Sequence, residues 1–269
     1  LRELRPTLYL AQQSQLLAGN ISIILGARGA CRTYKGEEVA GAQAVQDAAR
    51  RIESGEVDVV LAGGACNAER WDQLLILELG ARLWRGAYRP LWGRACEGGG
   101  MILGSMGAFL VLEASPHARA RGARPYARIA AVDVAPSALD DNSAAERLRG
   151  FVRRHGCAGG HLPVMSGATG FEGPERLTTR EKMRIGSLEA DGIEPIIRAH
   201  GGILGHGLEA HFPAGVALAA LALRDGRFYP PFDPGGFECP MSDDIEKVLV
   251  TGHGNLSGEA VALVEDVKG

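Results

Sequence analysis

Residues 40–52 place small and apolar side chains at helical spacing, stop at Glu53-Ser54-Gly55, and lead into a β-branched run at 57–62. Such a run is expected of a strand covered on both faces, and a helix feeding a buried strand marks an α/β chain. A second buried strand is expected at 107–113 after the glycine-rich, loop-like stretch Cys96-Glu97-Gly98-Gly99-Gly100. From Pro125 the alternation starts again. Strands are expected at 126–134 and 162–166, helices at 143–155, 178–190 and 208–223, and closing strands at 247–251 and 260–265. No linker of charged or low-complexity sequence separates the two series. They read as two similar halves, 1–124 and 125–269, packed as one unit.

Bulk properties narrow the function. With 269 residues, 46% of them hydrophobic, and a formal net charge of −3, the chain can bury a sizeable core and carries no basic excess for nucleic acid or a membrane surface. Its apolar runs are too short to span a bilayer. Five cysteines, Cys31, Cys66, Cys96, Cys157 and Cys239, lie without a CxxC pair or zinc spacing. They fit a reducing cytoplasm and the roles of small hydrophobes. Neither a metal nor a cofactor is expected. Gly98-Gly99-Gly100 and Gly201-Gly202 lack the lysine and serine of a phosphate loop and read as turns.

The run from 29 to 64, GACRTYKGEEVAGAQAVQDAARRIESGEVDVVLAGG, resembles the nucleophile segment of β-ketoacyl-acyl-carrier-protein synthases. Three later stretches match the same family in order: Arg89-Pro90, Gly100-Met101-Ile102-Leu103-Gly104, and LVLEASPHARARGARPYARI. The resemblance implies a thiolase-like, five-layered αβαβα fold with its N-terminal portion missing. It also implies where the chemistry would sit. The family's cysteine falls on Glu38, at the start of a helix whose unpaired N–H groups favour a negative charge. The first histidine falls on Gly167 within Val164-Met165-Ser166-Gly167-Ala168-Thr169, the lysine on Gly201, and the second histidine is kept as His206. The phenylalanine that gates the acyl tunnel falls on Asn255, beside His253. His200 would replace the lysine only if its loop shifted.

A carboxylate cannot carry an acyl thioester, and an ionised one offers acceptors only, which opposes malonyl chemistry. The resemblance therefore narrows to the chain-length factors, the subunits that lack the nucleophile. They form a heterodimer with an intact ketosynthase, receive acyl carrier protein and shape the acyl tunnel. Glutamine is the usual replacement in those subunits, so Glu38 is a departure. The alternative is an enzyme, an acyltransferase or malonyl decarboxylase using His206 with Glu38 as base.

Overall fold

The computed structural model describes residues 13, 15–136, 140–157, 159–174, 176–233, 235–254 and 258–267. The chain divides into two compact units, 1–35 and 36–269. The first contains helix α1, Gln15–Leu25, in which the Ser22 hydroxyl donates to the Gly19 carbonyl at 2.7 Å.

The second unit is α/β. Its chain order is α2 (Glu37–Glu53), β1 (Val59–Cys66), α3 (Trp71–Leu79), α4 (Leu91–Cys96), β2 (Met106–Glu113), α5 (Ser115–Ala120), β3 (Arg128–Ala135), α6 (Asp141–Arg154), β4 (Gly160–Ser166), α7 (Leu177–Gly186), β5 (Ile193–Ala199), α8 (Gly201–Leu204), α9 (His211–Asp225), β6 (Lys247–His253) and β7 (Glu259–Glu265). Short 3-10 turns follow α7, at Ser187–Asp191, and precede α9, at Leu208–Ala210.

Five strands form one sheet in the order β3-β7-β6-β4-β5, with β4 parallel to both β5 and β6, and β7 antiparallel to β3 and β6. Strand alternation sends Leu162, Val164, Leu249 and Leu263 to one face, where Leu148, Phe151 and Val152 of α6 and Ile185 of α7 meet them. Met165, Val248, Val250, Ala262 and Val264 go to the other face, onto Phe212, Val216, Ala219 and Leu223 of α9. Helix α6 begins where the Asp140 carboxylate accepts from the Ser143 N–H at 2.8 Å, and α9 ends on Gly226 at φ 67°.

Beyond α2 and α9 lies the second sheet, the antiparallel pair β1–β2, registered Leu61 to Val111 and Gly63 to Phe109. Ala62 and Ala108 turn inward, while Val59, Leu61, Phe109 and Val111 are exposed. The expectation of strands covered on both faces at 57–62 and 107–113 is corrected here. An apolar run reports that a strand can be buried, whereas the layer that covers it is a tertiary matter. All five thiols are free, and Cys31, Cys96 and Cys239 are exposed.

Candidate functional site

Helix α2 carries Glu38 in its first turn, after Gly36 at φ 128°, a conformation that L side chains rarely adopt. Small residues let this helix approach the Leu208–Ala210 turn. A methyl group on Gly41 would stand 2.0 Å from the Glu209 carbonyl oxygen and 2.9 Å from Pro213. Close approach buries Glu38 to 4% exposure and brings it to His206, itself 1% exposed. The His206 Nε2–H donates to Glu38 Oε1 at 2.6 Å.

His206 is held from its backbone. Its N–H donates to the Ile102 carbonyl at 2.7 Å, and its carbonyl accepts from Gly104 N–H at 3.0 Å. Gly104 must be glycine for this, since a methyl there would lie 1.8 Å from the Leu204 carbonyl oxygen. Two further histidines stack behind it. The His211 ring lies 4.4 Å from that of His206 and 4.1 Å from that of His200, centroid to centroid. His200 Nε2–H donates to the His211 carbonyl at 3.0 Å, and Gly207 N–H donates to His211 Nδ1 at 3.4 Å. Burial pushes His200 down to about 4 and His211 well below its ordinary value; neighbouring imidazoles add to both shifts.

His253, at the end of β6, completes the group. Its Nδ1 is 3.9 Å from Glu181 Oε2, and neither ring nitrogen has a hydrogen-bond partner. Burial lowers its pKa, against the attraction of Glu181. Glu181 is saturated: Ser166 and Thr251 hydroxyls donate to Oε1, and Arg184 donates through Nε and Nη2 to Oε2 at 3.0 and 2.6 Å. Burial favours its neutral form, but Arg184, His253 and the two hydroxyls outweigh that and hold the carboxyl below its usual range. A space of about 10 Å³, the size of a single water, remains among Glu38, Val39, His211, Phe212, Gly252, His253 and Ala260.

The other sequence-derived positions are filled by backbone. A methyl group on Gly167 would meet the Thr251 carbonyl oxygen at 2.7 Å, and one on Gly201 would meet the Ala168 carbonyl oxygen at 2.9 Å and His211 Cε1 at 3.3 Å. His200 does not take the lysine's place, because its ring is committed to His211. Asn255 lies outside the described residues. The fold thus gathers Glu38, His206 and His253, with Gly167 and Gly201 at the borders. Among the described residues no group of three possible metal ligands has a suitable arrangement.

Sequence reasoning overlooked His211, Glu181 and Arg94. Three histidines within twelve residues, 200 to 211, were the available signal for the first. Arg94 is 1% exposed and donates to the carbonyls of Arg89, Gly100 and Thr169, so it props the loop that carries Gly167.

A five-stranded sheet and a smaller sheet separated by α2 and α9, with the site at the start of α2, define a thiolase-like fold. Solved structures share it. A structure described as the ishigamide ketosynthase/chain length factor superposes with a TM-score of 0.77 at 23% identity, over 94% of this chain and 65% of that one. A type II polyketide synthase acyl-carrier protein in complex with its ketosynthase bound to the hexaketide gives 0.80 at 19% identity, over 97% and 69%. Residues 2–117 match the family model for the β-ketoacyl synthase N-terminal domain. Nodulation protein E of Rhizobium leguminosarum bv. trifolii is 34% identical over 123 residues, 46% of this chain and 30% of that protein. The 3-oxoacyl-[acyl-carrier-protein] synthase 2 of Vibrio cholerae serotype O1 is 32% identical over 139 residues, 49% and 32%. The matched stretch is about a third of these relatives' own length. Over residues 2–117 the chain is similar to the N-terminal domain of β-ketoacyl synthases, and over the rest it shares their fold.

Proposed function

We propose that this chain is a noncatalytic, chain-length-factor-like subunit of fatty-acid or polyketide biosynthesis. It pairs with an intact ketosynthase in the cytoplasm, meets acyl carrier protein there, and lends its surface to the acyl tunnel, with His253 and Asn255 on the tunnel side. Its halves on this reading are 1–124 and 125–269. One observation carries the proposal: Glu38 is hydrogen bonded to buried His206, and the space that Glu38 lines beside it is the size of one water. A thioester needs a nucleophile and donors for its oxyanion. On this reading the nucleophile's place holds a carboxylate, and a side chain added at Gly167 or Gly201 would meet backbone carbonyls. The likeness to a ketosynthase/chain length factor structure is compatible with this role. No helix among the described residues is long and apolar enough to cross a membrane. Co-expression with a cysteine-containing ketosynthase tests the pairing. The two chains are expected to co-purify as a heterodimer, and repeated failure to do so would reject the role.

The 2.6 Å Glu38–His206 contact also favours a second reading, a malonyl decarboxylase or acyltransferase using the pair as base and acid. It requires labelled malonyl-carrier protein to release carbon dioxide with this chain alone. Release that survives both Glu38→Ala and His206→Ala would remove it.

A further inference from the structure

The four buried histidines have a consequence of their own. His200, His206 and His211 all sit on one turn, 200–211, mostly buried, which exposes Ile203 and Leu204 on its outer side and faces Glu38 at His206. Two backbone hydrogen bonds to the Ile102–Gly104 segment tether that turn at His206. Leu208, inside it, is held at φ 48°, which stores strain in a residue with a bulky side chain. Five ring nitrogens of the cluster have no hydrogen-bond partner: His200 Nδ1, His206 Nδ1, His211 Nε2 and both of His253.

The surrounding charges come from every element packed on the cluster. Glu38 of α2 bonds His206, and Glu209 of the 3-10 turn lies near Glu38, His206 and Arg70. Glu181 and Arg184 of α7 face His253 at the end of β6, and Arg184 also reaches Glu259 of β7 at 3.5 Å. His200, at the end of β5, and His211, at the start of α9, are bordered by other imidazoles and carbonyls. A proton on either would place a cation in a buried stack, beside a ring already bonded to a carboxylate.

We propose that the 200–211 turn is an acid-operated latch that holds His206 against Glu38, closed by the stacked neutral imidazoles of His200 and His211 and opened when those two rings take protons from water. The closed rings resist protonation, His200 until about pH 4, whereas rings exposed by opening take a proton near their ordinary 6.5. Closure therefore has its full strength above about pH 6.5 and weakens as pH falls toward the closed-state values, about tenfold per pH unit for each such ring. Opening would be local because the segment is strained at Leu208 and reaches solvent at Ile203 and Leu204, while His253 belongs to a central strand of the five-stranded sheet. The latch does not depend on the partner reading.

Hydrogen exchange of the full chain, followed by mass spectrometry from pH 7 to pH 4.5 and corrected for intrinsic rates, reads the latch directly. Peptides covering 200–211 are expected to lose protection at a higher pH than those covering β4, β6 and β7. His211→Phe keeps a ring in the stack and removes a proton site, so its opening midpoint should move to lower pH. His200→Gln, which retains a donor for the His211 carbonyl, should move it the same way and serves if the first variant does not fold. Loss of protection in the turn and the sheet in one step, or an unchanged midpoint in the folded variant, would overturn the proposal.

Discussion

Two buried carboxylates stand at opposite ends of the same site, and they are treated differently. Glu181 is surrounded by fixed donors, Ser166, Thr251 and the guanidinium of Arg184, which favour its ionised form. Glu38 is bonded to an imidazole, in a cluster whose other imidazoles lack partners for several nitrogens. The first arrangement ties the ends of β4 and β6 to α7 and is structural. The second places a carboxylate at the start of α2 beside a space the size of one water. One buried carboxylate thus ties elements together while the other depends on a single imidazole.

The sharpest way to break this contrast is to remove the structural carboxylate. Glu181→Ala leaves Arg184 buried without its main counter-ion and should cost about 3–5 kcal/mol, measured by denaturant unfolding. A loss near 1 kcal/mol would mean that Glu259 suffices for Arg184 and that the two carboxylates are less different than argued. Gly41→Val comes next. Its side chain meets the Glu209 carbonyl, and the overpacking should cost about 1–3 kcal/mol while forcing Glu38 away from His206. The His206 imidazole NMR signals should report the separation. Unchanged signals would show that α2 does not set the pair.

Glu38→Gln has a smaller expected effect. It exchanges a charge-assisted bond for a neutral one of the same shape, at about 1 kcal/mol, and should leave the sheet core intact by thermal unfolding. Smallest in gain should be the attempt to rebuild chemistry. Glu38→Cys with Gly167→His and Gly201→Lys is expected to give no condensing activity, since the two larger side chains meet carbonyls and His211. Turnover above background by the triple variant would show that the site is empty rather than closed.

Much of this fold could be read in advance, and the failures are instructive. Strands β4, β6 and β7 and helices α6 and α9 fell close to their expected places because alternation and amphipathic spacing are local properties. β5 was missed: Glu194 and Pro195 break the pattern, and its place at the edge of the sheet is where a proline is tolerated. Helix α3 was hidden among glycine, arginine and tryptophan. Family spacing singled out Glu38 and His206. Their mutual hydrogen bond, the His211 stack and the saturation of Glu181 did not, because each joins residues far apart in sequence or rings whose orientation only packing decides.

The central claim, that the nucleophile's place is occupied and shut, is most directly tested by intact-mass measurement after exposure to an acyl-carrier thioester. The chain and a cysteine-containing ketosynthase partner would be acylated together and weighed separately. Acyl mass should appear on the partner alone. An adduct on this chain that disappears in Glu38→Ala would contradict the account.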